Sequence, residues 1–158
     1  MAFVCLTLSC TTEETNPLED ANYEIDLNLS LETDWEMADE ILELINDHRS
    51  VHGFMVLEKD QGYASAFAVK HTKYMINLKQ VNHDNFFERS GALKNRGAIR
   101  VGENVAYGYN TAENVVDAWL QSPSHKKIIE GAYTHSGFGV LKNADGQYFF
   151  TLLFHKQN

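Results

Sequence analysis

A chain of 158 residues has room for one domain of ordinary size, large enough to bury a core without disulfides or a structural metal. Apolar residues make up 44% and aromatics 11%, which suits a globular fold and excludes wholesale disorder. The formal net charge of −9 belongs to the front of the chain: residues 1–47 hold thirteen Asp and Glu and no Lys or Arg, whereas residues 49–158 sit near +4. No basic run or stripe accompanies that balance, and Lys126-Lys127 reads as solvated surface, so no nucleic-acid partner is expected.

The only cysteines are Cys5 and Cys10, so the rest of the chain has no disulfide and no cysteine-based zinc site. Residues 1–10 form an apolar run too short to span a bilayer. Its end, Leu8-Ser9-Cys10, resembles the close of a bacterial lipoprotein signal, where the cysteine is acylated after cleavage. A basic stretch before the run is missing, and a start further upstream would supply it. The competing reading is an ordinary apolar amino terminus. Residues 11–34 are acidic and polar, include Asn16 and Pro17, and are expected to be a flexible tether. A single domain is expected over 35–158.

Met37, Ile41, Leu44, Ile45 and His48 lie on one face of a first helix that Asp34 is placed to cap. A second helix is expected from about Asp60 to Leu78, with Ala64, Phe67, Ala68, His71, Met75 and Leu78 on its buried stripe. His71 on that stripe reads as a hydrogen-bonded core or rim residue. From Val81 to Arg100 the period fades and a long irregular connection is expected. Asn110 or Thr111 caps a third helix, and with Asn110 as cap Glu113 completes a capping box. Val115, Val116, Trp119 and Leu120 form its buried side. Ser122-Pro123 opens a short fourth helix. Two strands, 137–141 and 147–155, flank the turn-prone Asn143-Ala144-Asp145-Gly146. The second is apolar at both parities, so it is buried on both faces. The expected fold class is α+β: a three-layer α-β-α sandwich around a small, mainly antiparallel sheet.

Several segments in order carry a resemblance. Val101-Gly-Glu-Asn-Val-Ala-Tyr-Gly108 resembles the Gly-Glu-Asn-[Ile/Leu/Val]-Ala signature of the CAP superfamily, the cysteine-rich secretory, antigen 5 and pathogenesis-related proteins with their bacterial relatives. Asn82-His83, the segment Val115 to His125 with its Trp119 and Ser122-Pro123-Ser124-His125, and Tyr133-Thr134 followed by Gly137-Phe138-Gly139-Val140 fall in the family's order. Together they cover about residues 36–156. The resemblance implies the same sandwich, with a cleft of histidines and acids in which the histidines can bind a divalent metal. Carried over by motif, the cleft residues are His83, Glu103 and His125. The family's second glutamate falls at Ser122, so this chain has three of the four, and any mechanism needing paired acids loses its basis.

His125 at the third position of its helix meets free backbone N–H groups that disfavour a positive imidazole, lowering its pKa. His83 and His125 are then candidate metal ligands, for Zn²⁺ or another divalent ion. Glu103 is placed to orient a histidine, to bind the metal or its water, or to act as general base; it is the catalytic candidate if there is one. The bland readings are that Glu103 and Asn104 fix a loop through backbone groups, that His125 completes a helix start, and that Ser122 is a cap rather than a nucleophile.

The resemblance favours an extracytoplasmic, non-enzymatic binding module for a lipid, sterol-like, cell-envelope or protein ligand. Phe86, Phe87, Tyr107, Tyr109 and Tyr133 are candidates to line a groove, at least half of them being packing instead. The alternative is a metal-dependent hydrolase of peptide, cell-wall or nucleic-acid substrates. A monomer is expected, at the periplasmic or cell surface, touching the membrane only through an anchor at Cys10.

Overall fold

The computed structural model of the protein describes residues 23–158. The expected lipoprotein signal, with Cys5 and Cys10, and the tether over 11–22 lie outside the described residues.

Residues 23–34, expected as tether, are instead docked on the domain. A 3-10 turn, Leu27–Glu32, starts at Asp26, whose side chain accepts from Asn28 N. Tyr23 and Ile25 pack beside Phe67, Leu93 and Leu153. The Tyr63 hydroxyl donates to Tyr23 O at 3.0 Å, and Thr33 Oγ1 donates to Phe138 O at 2.7 Å. Of the apolar side chains here Leu27 and Leu31 stay exposed, while Tyr23 and Ile25 pack against the helices and hold the acidic segment in place.

The first helix, α1, spans Trp35–Val51 and is capped by Asp34, whose carboxylate accepts from Met37 N at 3.2 Å. The same carboxylate accepts from the Tyr148 hydroxyl at 2.6 Å, tying the helix start to the sheet. Met37, Ile41 and Ile45 are buried as their spacing requires. Strand β1 is only Glu58–Lys59. Helix α2 is Tyr63–Leu78 and buries Ala64, Phe67, Ala68, His71 and Met75.

The expected irregular connection contains helix α3, Phe86–Asn95. Its buried side is Arg89, Ser90, Gly91, Ala92 and Leu93. Polar and small residues on the inner face erase the apolar period, which is why the sequence does not announce this helix. Strand β2, Ala98–Tyr107, follows and carries the Gly-Glu-Asn triplet. Helix α4, Ala112–Gln121, is capped by Thr111, whose hydroxyl accepts from Asn114 N, so Asn110 is not the cap and no capping box forms with Glu113. Helix α5, Pro123–Ile129, has Pro123 at its first position. Strands β3, His135–Lys142, and β4, Tyr148–Gln157, make the expected hairpin. Its turn is closed by Asn143, whose side chain accepts from Asp145 N and Gln147 N, with Gly146 at φ +78°.

The strand order is β1-β3-β4-β2, with β1 parallel to β3 and the other pairs antiparallel. Helices α1, α4 and α5 cover one face through Ile41, Ile45, Val115, Trp119 and Ile129 against Phe138, Phe150, Leu152 and Phe154. Helices α2 and α3 cover the other, where Leu153 is buried among Ala64, Phe67, Ala68 and Leu93. This is the three-layer α-β-α sandwich the sequence predicts. A close approach makes it possible on the α2 side: a Cβ on Gly137 would stand 2.5 Å from Ala64 Cβ, so only glycine lets the helix lie that near to β3. The central strand β4 is buried from Tyr148 to His155, as its unbroken apolar run requires.

Candidate functional site

Strand β2 is an edge strand, bonded to β4 on one side only. Its side chains alternate between the helical layers. Val101 and Val105 pack on the α2–α3 side and Ala106 on the α1–α4 side, so Glu103 faces α3 while Asn104 faces α5. The expected site residues gather around this edge from both layers.

On the first side, Glu103 is buried, with its side chain 2% exposed. Arg89 of α3 holds it in a bidentate pair, Nε to Oε2 at 2.6 Å and Nη2 to Oε1 at 2.9 Å. His83, in the connection after α2, donates from Nδ1 to Oε1 at 2.8 Å. Its side chain is 53% exposed, so the ring reaches from a buried carboxylate into solvent. A carboxylate partner on Nδ1 leaves the Nε2 lone pair of a neutral ring outward. Burial pushes the Glu103 carboxyl up, but the bonds from His83 and Arg89 and the guanidinium charge outweigh it and hold the group below its ordinary range. Glu103 therefore stays ionised and has both oxygens engaged.

Beneath this pair lies His71, buried and bonded through Nε2 to Asn82 O at 2.9 Å. Its pKa is lowered by burial first and by the Arg89 charge second. The expectation of a satisfied core histidine holds, although His71 also underpins the His83 connection by holding Asn82. Arg89 is the residue that sequence reasoning missed. It lies 14 positions from Glu103 on an unrecognised helix, and no local pattern announces such a pairing.

On the second side, His125 Nδ1 meets the Ser122 hydroxyl at 2.8 Å, and Ser122 Oγ is 3.3 Å from Ser124 Oγ. Ser122 stands at the helix cap, but its side chain bonds to the imidazole and to no backbone N–H at the helix start. The purely capping reading of Ser122 is thereby corrected. Asn104 Nδ2 donates to His125 O at 3.2 Å, fastening the start of α5 to β2. The His125 pKa is lowered, as expected, yet the leading cause is burial, followed by the His83 charge, and not the helix terminus. His125 shares no hydrogen bond or ion pair with His83 or Glu103 among the described residues; it is tied to β2 through Asn104, and only the His83 charge is felt at its ring. Glu103 and Asn104 do not fix a loop through backbone N–H groups. One binds side chains of α3 and of the His83 connection, the other a carbonyl of α5.

Among the described residues, no group of three or more His, Cys, Asp and Glu is placed to hold a metal ion. A donor set here is limited to two imidazoles, because Arg89 and His83 occupy the carboxylate. Of the candidate groove aromatics, Tyr133 is core, packed on Phe154 and against Gly102, and Phe86 and Tyr109 are partly buried. Phe87 and Tyr107 are exposed, Tyr107 resting on Phe149.

A helix–sheet–helix sandwich whose edge strand carries a Gly-Glu-Asn triplet, flanked by one histidine from each helical layer, defines a class of small domain. The chain belongs to the CAP family, described as the cysteine-rich secretory protein family, whose family model matches residues 42–154. It is 36% identical over 108 residues to the uncharacterized membrane protein YlbC of Bacillus subtilis (strain 168), covering 64% of this chain and 30% of that one. It is 27% identical over 114 residues to the uncharacterized protein YkwD of the same organism, covering 65% of this chain and 42% of that protein. The chain thus spans less than half the length of these curated relatives. Among solved structures, an extracellular protein containing an SCP domain from Bacillus anthracis str. Ames superposes with TM-score 0.61 at 27% identity, over 75% of this chain and 40% of that one. An outer surface protein from Borrelia burgdorferi gives TM-score 0.67 at 24% identity, over 78% of this chain and 94% of that one, and shows the shared fold.

Proposed function

We propose that this protein works outside the cytoplasm as a non-catalytic binding module. Its edge-strand cleft takes a lipid, sterol-like, cell-envelope or protein ligand and is able to hold a divalent metal such as zinc through His83 and His125. The names of similar proteins support the location: an extracellular SCP-domain protein, an outer surface protein and a membrane protein. Among the described residues no helix is long and apolar enough to cross a membrane. An acyl anchor at Cys10 is the proposed attachment.

One observation carries the choice of binding over hydrolysis. Both oxygens of Glu103 are engaged by Arg89 and His83, and its depressed pKa makes it a weak proton acceptor. The alternative, a metal-dependent hydrolase, needs a carboxylate free to take a proton from water, and this one is committed to orienting His83. The residues do suit a bound ion of modest affinity. Each imidazole has its Nδ1 occupied by a fixed partner, Glu103 for His83 and Ser122 for His125, which is how histidine ligands are oriented. A bound divalent ion would supply Lewis acidity and water-filled positions for a ligand.

Calorimetric titration with zinc tests the metal part. Wild-type protein is expected to bind one ion, the His83→Ala, His125→Ala double variant none. Identical heats in the two proteins would reject His83 and His125 as ligands.

A further inference from the structure

The end of α1 and the loop that follows it present a row of apolar side chains to solvent. Val51 is 82% exposed, Met55 70% and Val56 53%, with Phe54 beside them also exposed. The backbone that carries them is held. Phe54 N donates to Arg49 O at 2.8 Å, the buried Arg49 donates from Nε to Met55 O at 2.6 Å, and Leu57 N donates to Asn46 Oδ1 at 2.7 Å. Arg49 also donates to Ile129 O and Gly131 O, so the loop is pinned to the end of α5. A backbone held at both ends that still turns its apolar groups outward is preorganised for contact with something apolar.

Phe54 also lines a cavity of about 630 Å³ together with Arg100, Lys126, Lys127 and Glu130. Glu130 is engaged by His48 at 2.9 Å and by Lys126 at 3.8 Å. Lys127 and Arg100 make no ion pair among the described residues, and Arg100 follows Ile99, itself exposed. Apolar side chains beside uncompensated cations match the two components of an anionic bilayer surface, acyl boundary and headgroup.

The described chain enters at this same end of the sheet. Tyr23 O accepts from the Tyr63 hydroxyl, and the Tyr63 ring lies 3.7 Å beneath the Arg96 guanidinium, just before β2 and Arg100.

We infer that the Val51–Val56 loop and the Arg100–Lys127 cavity form a docking surface for an anionic phospholipid bilayer. This surface uses none of His83, Glu103 and His125, although Pro123, Lys126 and Lys127 of its rim share α5 with His125, and it needs no metal. Val51, Phe54, Met55 and Val56 enter the acyl boundary while Arg100 and Lys127 meet phosphate groups.

Co-sedimentation of the full chain carrying Cys10→Ser, which removes the acylation site, tests this with vesicles of phosphatidylcholine alone and of phosphatidylcholine with phosphatidylglycerol. Binding is expected to the phosphatidylglycerol vesicles and to weaken with added salt. Lys127→Ala and Arg100→Ala are each expected to lower the partition coefficient about fivefold. Met55→Ser with Val56→Ser should lower it on the order of tenfold. All of these positions are exposed, so an unchanged melting temperature checks that the variants are folded. Partitioning that is equal in parent and variants, or equal on the two vesicle types, would overturn the inference. So would a concentration-dependent dimer abolished by Met55→Ser with Val56→Ser, which would assign the loop to contact between copies of this chain.

Discussion

At the residue scale the His83–Glu103 pair depends on Arg89, which bonds to the carboxylate. Burying the Glu103 carboxylate would be costly if it stood alone, and Arg89 compensates it with two charge-assisted hydrogen bonds. A third, from Arg89 Nη1 to Asp84 O at 2.7 Å, steadies the connection that holds His83. Arg89→Met should therefore destabilise the fold by about 3–5 kcal/mol in urea unfolding, because it strands a buried charge. Adding Glu103→Leu should recover much of that loss, since a buried pair replaced by apolar groups is often near neutral. A cost below about 1 kcal/mol for the single variant would mean that the pair is solvated and does not organise the site.

At the scale of elements, the short strand β1 and the start of α2 are fastened to β4 by Asp60. Its carboxylate meets His155 Nε2 at 3.1 Å, and His155 is buried and stacked on His135. Burial raises the Asp60 pKa, but the bond to His155 and the backbone N–H groups of Gly62 and Ala64 prevail, so the folded value lies below the ordinary one. The sign follows from linkage. A depressed carboxyl pKa stabilises the fold fully above the unfolded value of about 4, and that stability is lost as pH falls through the folded value. Asp60→Asn should thus flatten the acid side of the stability–pH curve below about pH 4, measured by chemical denaturation at a series of pH values. An acid limb as steep as that of the parent would remove Asp60 from the account.

At the scale of the whole molecule, the boundary of the domain lies earlier than composition suggests. Tyr23, Ile25 and the 3-10 turn close the α2–α3 layer, while Thr33 and Asp34 bond to β3. A chain beginning at Trp35 should melt lower than one beginning at Tyr23, by about 2–4 kcal/mol of lost burial and capping. Equal melting temperatures would restore the tether reading for these residues. Acidic composition marked the segment as solvated because much of it is, Leu27 and Leu31 included; the side chains that dock, Tyr23, Ile25, Ser30 and Thr33, are too mixed in chemistry to give an apolar period.

The sequence by itself determined α1, α2, α4, α5 and the β3–β4 hairpin, since each has a local period, a cap or a turn residue such as Asp34, Pro123 or Gly146. Its resemblance to the CAP superfamily also made His83, Glu103 and His125 candidates, through short motifs. Helix α3 was hidden because Arg89, Ser90, Gly91 and Ala92 make up most of its inner face, and Phe86 and Leu93 are too few to mark an apolar stripe. Only the tertiary structure decided that Glu103 pairs with Arg89, that Ser122 serves His125, and that the two histidines approach the edge of β2 from opposite layers. Local periodicity reports which face of an element is buried. It carries no information on which distant side chain will stand opposite, and distant partners set the surroundings of His83, Glu103 and His125.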